Sequence, residues 1–558
     1  MSVIKFIGLG GLQEDGKNLY VIEVDNRIYI LDAGIKYPTA ELYGVDYIAP
    51  NISYLIENKE RIVGIFLTHA HSKHIGAVSN ILKEMKVRVY GSRFTLAVLK
   101  DSLLNDNIDF KQEMMIEITR KTALHFGNVT VRFVQLSHNI PEAFGIDILT
   151  PDGNIIYTGN YNFDQNTKID YAGMFRTLSI FSKEGVLALL TESRGATNDQ
   201  NRGTILEFKM RLNQILSSAQ GRIIFSIFSS DILRMQQIID IGIAHNKKIA
   251  IIGRKTQRIV NVAMNLGYLN IPEKHLANLR YIDEKNKNLD SNLLALVCGE
   301  RHEPYYMLQR MSRGVDRLIN INSKDTVVIL TNPQIGTEKM AARTLDIIYK
   351  RTSKIISFKS NLMPSYSATR EEIKQMVNIL KPKYVIPVIG EYRHQYACNV
   401  VTDCIGLPNE NFLIADAGDV LEFNDGKYVG ITGEVTVGEN LIDGKSLSDV
   451  GDVVMRDREL LAEDGVFLIS ALINTKTRNV PTDIQIVTKG FIYVKDNTEL
   501  IEEVKEIFRN VCVKYLESKY INWAEFKTSL RSEISHHLYK VTKRNPIIIP
   551  VLIANEIE

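Results

Sequence analysis

Along the chain, short apolar runs broken by Gly, Asn and Asp come first, and longer helical patterns follow. In residues 3–34 the runs VIKFIGLGG and NLYVIEVDNRIYILDAG predict two strands joined at the Asp25-Asn26 turn, with Asp32 at the carboxyl end of the second. RIVGIFLTHAHSKHIGAVSNILKEM reads as a buried strand, a loop crowded with histidine, and a helix opening near Ile75. Strands are expected again at residues 129–136 and 154–158. From about residue 204 to about 353, apolar strand signals separated by helical patterns predict a doubly wound α/β insertion. After it, REEIKQMVNIL is amphipathic and KPKYVIPVIGEYRH is a strand running into a loop. Residues 442–463 are polar and poor in periodicity, and read as a linker. The C-terminal stretch gives strands (VFLISALI, IQIVTKGFIYV), two charged helices over about 498–518 and 523–542, then IIIPVLIA, an order that predicts a small α+β domain.

Composition narrows the class. With 558 residues, 45% hydrophobic and 24% charged, the chain is ordinary globular protein of several domains, neither disordered nor collagen-like. Lys+Arg 67 against Asp+Glu 65 leaves a formal charge of +2, so any nucleic-acid binding must use a local basic groove. The four cysteines (Cys298, Cys398, Cys404, Cys512) show no C-x-x-C spacing and suggest neither a zinc ribbon nor a disulfide framework. The N-terminus lacks a basic segment followed by an apolar one, and PIIIPVLIA is too short to span a bilayer. The expectation is a soluble, cytoplasmic protein with no membrane partner.

The candidate chemistry lies at the strand ends. His69, His71 and His74 fall within T-H-A-H-S-K-H, and His138 follows a later strand in QLSHNIP. Two histidines separated by one residue on a loop leaving a strand can turn both imidazoles toward one ion. A lone core histidine would be explained by a hydrogen bond; three together, with a fourth on another strand end, point to a metal site.

These motifs in this order resemble the metallo-β-lactamase fold with a β-CASP insertion, and most closely the ribonuclease J family. GLGGLQEDGKN, ILDAGIKYP, the THAH loop, SHNIPEAFGI, YTGNYNFD, the REEIKQMVNILKPKYVIPVIGEYRH block and GDVVMRDRELLAEDG carry the resemblance almost end to end. It implies an α/β architecture: a metallo-β-lactamase αββα sandwich (1–205 and 356–445), an inserted doubly wound β-CASP domain (206–355), a linker (446–463) and a small C-terminal α+β assembly domain (464–558). It also implies 5′→3′ exoribonuclease and endoribonuclease chemistry at a dinuclear centre.

The departures from the family pattern change that expectation. The family's His-loop Asp is Lys73 here, its bridging Asp is Asn160, its PVHGE histidine is Ile389, and a His that stabilises the scissile phosphate aligns with Ser367. The first metal position keeps His69, His71 and His138, suited to one Zn²⁺ or Mn²⁺; the second keeps only His74, so a dinuclear centre is not expected. Lys73 would place an ammonium where a dication stood. Asp32 would orient the His loop from behind, and Glu192 matches the acidic residue opening the β-CASP module. By the same resemblance, 5′-phosphate recognition would fall to Ser229, Ser230, Arg234, Arg254, Gly299 and Arg301, weakened by Asp231. The implied protein is a degenerate paralogue with no intact catalytic set. It would serve RNA turnover and rRNA/mRNA maturation as an RNA-binding partner of an active ribonuclease J paralogue, or of itself through the C-terminal domain. The rivals are a slow mononuclear ribonuclease using His69, His71 and His138, and an RNA-binding scaffold that needs no paralogue.

Overall fold

The structure, a computed structural model, describes residues 2–39, 42–164, 170–197, 203–253, 257–277, 291–358, 363–364, 367–444, 452–481, 483–492, 497–518 and 520–555. It divides into two compact units, Met1–Thr39 with Asp46–Lys445 and Ala40–Val45 with Ser446–Glu558.

In the first unit an eight-stranded sheet runs in the order Lys427–Glu434, Asp419–Asn424, Val3–Gly10, Leu19–Val24, Arg27–Leu31, Ile62–Phe66, Val89–Gly91 and Met115–Glu117. A six-stranded sheet runs Tyr384–Val388, Val186–Glu192, Gly153–Tyr157, Phe144–Thr150, Val129–Gln135 and Ala123–Phe126. Period-two alternation decides what each face buries. Phe6, Tyr20, Ile22, Tyr29 and Leu31 share a core with Val131, Phe133, Ile146, Leu190 and Ile386 of the other sheet. Their neighbours Ile7, Leu19, Val21, Ile28 and Ile30 pack instead with Ile81, Phe94 and Leu99 of helices Val78–Glu84 and Arg93–Asn105. On the outer face of the six-stranded sheet, Val134, Leu189 and Val385 meet Leu178 of helix Tyr171–Glu184 and Met376 of helix Arg370–Leu380. Helix, sheet, sheet, helix is the expected αββα sandwich. Each fully buried Phe or Leu in these layers contributes roughly 1.5–3 kcal/mol.

Inserted in this unit are five parallel strands, ordered Lys248–Ile252, Leu293–Gly299, Ile223–Phe228, Thr326–Ile329 and Ile355–Ser357. Leu293–Gly299 is buried at every position because helices cover both faces. Helices Ile205–Ser218 and Ile232–Ala244 lie on one side through Leu212 and Ile238. Helices Glu303–Arg313 and Glu338–Tyr349 lie on the other through Leu308 and Ile348. This is the doubly wound insertion expected from the sequence.

In the second unit, Ile484–Lys489, Val466–Asn474 and Ile547–Asn555 form a three-stranded sheet. Phe467, Ile469 and Ile473 pack on Val504 and Phe508 of helix Thr498–Leu516 and on Phe526, Leu530, Ile534 and Leu538 of helix Trp523–Thr542. The expected linker is corrected over its described part: Asp452–Glu463 is a helix of twelve residues. None of its described side chains is buried, so it has no apolar stripe to betray its period. Residues 445–451 lie outside the described residues.

At the foot of the inserted sheet Arg222, 2% exposed, donates through Nε to Asp325 Oδ1 at 2.9 Å and through Nη2 to Oδ2 at 2.6 Å. Removing one partner strands a buried charge. Asp325→Ala is expected to cost about 3–5 kcal/mol of stability, read as a lowered urea midpoint; an unchanged midpoint would show that water reaches Arg222.

Candidate metal centre

The strand Ile62–Phe66 delivers Thr68 and the histidine loop, which folds back on residues 32–35 by main-chain bonds. Asp32 N donates to Phe66 O at 2.9 Å, Ala33 N to His74 O at 2.7 Å, and Ile35 N to Ser72 O at 3.0 Å. Gly34 permits this contact, since a Cβ there would stand 1.6 Å from Lys73 O. Asp32 itself is fully buried at φ 57°, in the left-handed region that aspartate and asparagine enter more readily than other residues with a side chain. Its Oδ1 accepts from Thr68 N at 2.8 Å, and its Oδ2 accepts from the Thr68 hydroxyl at 2.9 Å and the Tyr157 hydroxyl at 2.7 Å. Phe144 N donates to Thr68 O at 2.9 Å, which ties the loop carrying His138 to the same point.

Three imidazoles converge above Thr68. His71 Nδ1 lies 3.0 Å from His69 Nε2 and 3.3 Å from His138 Nε2. Three nitrogens bound to one tetrahedral zinc at its usual bond length stand about 3.3 Å apart. On the far side of the rings, His69 Nδ1 has a partner in the Thr68 hydroxyl at 2.9 Å, whereas His71 Nε2 and His138 Nδ1 are buried without a hydrogen-bonding partner. Because that hydroxyl donates to Asp32, the network assigns it as the acceptor of His69 Nδ1–H, leaving the Nε2 lone pair for a cation. Burial, then the neighbouring imidazoles, holds His69 and His71 well below the ordinary histidine value and pushes His138 down to about 3. All three are therefore neutral donors at neutral pH, and the set fits one Zn²⁺ or Mn²⁺.

The groups expected around a second metal are engaged with protein neighbours. His74 does not join the tripod: its Nδ1 is 2.7 Å from Asp32 Oδ2, and its Nε2 is 2.8 Å from Asn160 Oδ1 and 3.2 Å from Asn18 Nδ2. Asn160 Nδ2 donates to Glu192 Oε2 at 2.6 Å. Glu192 also accepts from Tyr161 N at 2.9 Å, from Ala368 N at 2.8 Å and from the Ser367 side chain. Burial pushes the Glu192 carboxyl up to about 7 against those donors. Lys73 turns to Asp15, Nζ to Oδ1 2.7 Å, and Arg194 reaches the other oxygen at 3.3 Å. Burial draws the Lys73 ammonium down, with Asp15 opposing. Ile389 is buried at φ 53°, its N–H donating to Gly11 O at 3.1 Å.

Of the residues expected at RNA phosphate, Ser229 is buried at the end of the strand Ile223–Phe228, its N–H donating to Gly299 O at 3.0 Å, and Ser230 is half-buried. A Cβ on Gly299 would lie 2.6 Å from Glu303 Cβ. Arg234 is turned inward, 4% exposed, with Nε 3.4 Å from Asp231 Oδ2, Nη2 donating to Pro364 O at 3.0 Å and its guanidinium over Phe208. Arg301 donates to Pro38 O and lies over the Tyr37 ring, whose hydroxyl donates to Ser72 in the histidine loop at 3.2 Å. Arg254 falls outside the described residues.

The chain matches "Ribonuclease J, beta-CASP domain" over residues 220–348, "Ribonuclease J C-terminal domain" over 453–555, "Beta-lactamase superfamily domain" over 30–177 and "Zn-dependent metallo-hydrolase RNA specificity domain" over 365–399. It is 36% identical over 552 residues to Ribonuclease J 2 of Streptococcus pyogenes serotype M3, covering 99% of each chain. The chain belongs to the ribonuclease J family. Ribonuclease J 2 of Staphylococcus aureus strain MRSA252 is 35% identical over 98% of each chain. A crystal structure of a protein of unknown function from Enterococcus faecalis V583 shares the fold at TM-score 0.54 and 13% identity, covering 76% of this chain and 100% of that one. No helix among the described residues is long and apolar enough to cross a membrane.

Sequence reading missed four residues that shape this family site: Asp15, Asn18, Thr68 and Tyr157. Only the polar cluster EDGKN after an apolar strand hinted at the first two. Burial raises the Asp15 carboxyl, but Lys73 and Arg194 outweigh it and hold it at about 2, below its ordinary 3.8. A depressed carboxylate contributes stability that is complete above its unfolded value and lost as pH falls through the folded one. Asp15→Asn is therefore expected to flatten the loss of stability between about pH 4 and pH 2 and to lower stability at pH 7, followed by denaturant midpoints at each pH. A parent and variant with parallel acid limbs would contradict the ion pairing.

Proposed function

We propose that this ribonuclease J-type chain acts in cytoplasmic RNA turnover and in rRNA and mRNA maturation as a structural, RNA-binding partner of an active paralogue, with weak or no catalysis of its own. The supporting observation is that each replaced or remaining group of the second metal position is committed elsewhere. His74 is held between Asp32 and Asn160, Lys73 is neutralised by Asp15, and Ile389 carries no donor. Phosphodiester hydrolysis by two metals depends on cations at both the attacking and leaving oxygens. In the place of the His-loop proton acceptor stands Lys73, a cation. Asn160 is an amide, and Glu192 is surrounded by donors. The names of the similar proteins, Ribonuclease J 2, accord with a paralogous type. Assembly is assigned to the C-terminal domain, with the active paralogue or a second copy as partner.

A second reading, a slow mononuclear ribonuclease, is favoured by the tripod itself. A single Zn²⁺ or Mn²⁺ held by His69, His71 and His138 would supply Lewis-acid polarisation. Thr68 and Asp32 would then keep the His69 ring aimed at it.

Elemental analysis of chelator-treated, zinc-reloaded protein, run beside an RNA cleavage assay, separates the two. The partner reading expects at most one ion per chain and cleavage no greater than that of His71→Ala. It also expects RNA decay by an active paralogue to quicken when this chain is added. Cleavage at the rate of an intact family member, abolished by His71→Ala, would overturn it. Slow metal-dependent cleavage lost in His69→Ala and His138→Ala would establish the mononuclear enzyme.

A further inference from the structure

Buried polar atoms without partners gather on the side of His138 that faces away from the tripod. His138 Nδ1, Asn139 Oδ1 and Asp231 Oδ1 all lack a hydrogen-bonding partner, and all three residues line one pocket of about 40 Å³. The pocket lies where the loop after Val129–Gln135 meets the first turn of helix Ile232–Ala244, which Asp231 heads. Main chain clamps the two together: Leu233 N donates to Asn139 O at 3.2 Å, and the Asn139 side chain hydrogen-bonds the Asp231 carboxylate. Asp231 and Asn139 are themselves buried.

A space of this size excludes a nucleotide base but holds a water or two, each needing two to four polar partners. The unpartnered atoms provide them. An imidazole that gives Nε2 to a metal carries its proton on Nδ1, and that proton requires an acceptor to fix the ring. His69 has one in the Thr68 hydroxyl; His138 has no direct one. A carboxylate repels a phosphate, yet it is the acceptor that an imidazole N–H needs.

We propose that Asp231 is a positioning residue for His138: through water held in this pocket, its free oxygen accepts from His138 Nδ1–H and keeps Nε2 aimed into the tripod. The inserted domain thereby completes a centre whose three histidines come from the surrounding sandwich. This inference rests on the reading that those histidines hold a metal.

The test is Zn²⁺ affinity of the full chain, measured by chelator competition for the parent, Asp231→Ala, Asp231→Asn and His69→Ala. Asp231→Ala is expected to weaken zinc binding about 10- to 100-fold. Asp231→Asn, whose amide oxygen still accepts from water, stays close to the parent. Melting temperatures of the metal-free proteins separate this role from simple support of Arg234. Both variants remove the charge facing that guanidinium, so a purely structural role lowers both melting points together and leaves zinc affinity alone. Unchanged zinc affinity in Asp231→Ala, with binding abolished in His69→Ala, overturns this inference and leaves the metal reading standing. A parent that binds no zinc overturns both.

Discussion

The centre hangs on the carboxylate of Asp32. Removed from water, it collects the Thr68 amide and hydroxyl and the Tyr157 hydroxyl, and it faces the His74 ring, so the histidine loop and a strand of the second sheet converge on two oxygen atoms. A buried charge is tolerated only when its acceptor sites are filled, and here they are filled by the groups whose placement matters. The left-handed backbone at Asp32 is a strained conformation, sustained because the bonds of its neighbours to the histidine loop leave no alternative path for the chain. Thr68 passes this order onward, toward His69 through its side chain and toward the His138 loop through its carbonyl.

Charge distinguishes the three-histidine set from the groups beside it. Three neutral imidazoles can lie close together without a cation, because burial suppresses their protonation. A cluster of carboxylates could not, and two of the expected ones are Lys73 and Asn160. The lysine brings its own counter-ion in Asp15, and the amide donates to Glu192, so each substitution is electrically closed within its immediate surroundings.

Much of this was readable in the sequence because the signals are local. Apolar runs marked individual strands, and H-x-H directly after a buried strand, with QLSHNIP after another, pointed to a metal site; the sandwich and the choice of His69, His71 and His138 as one set came from the family resemblance. Partner choice was not local. Nothing in T-H-A-H-S-K-H says that Lys73 will meet Asp15, or that His74 will be taken by Asp32 and Asn160, since those contacts are made by chain reversals far apart in sequence. Arg234 marks the same limit: an arginine in the first turn of a helix can face water or core, and only the packing of Phe208 and Pro364 turns it inward. The helix Asp452–Glu463 went unread because an exposed helix carries no buried stripe.

Ile389 holds a left-handed conformation that is steeply unfavourable for a β-branched residue, costing of order 1–2 kcal/mol. Its N–H is fastened to Gly11, and its neighbours Gly390 and Glu391 pair with Leu12 and Gln13 as a short parallel ribbon. The bend is thus imposed by the scaffold and asks nothing of the side chain that occupies it. A cleft built this way keeps its contour whichever side chain stands at position 389, much as a mould is indifferent to the metal poured into it.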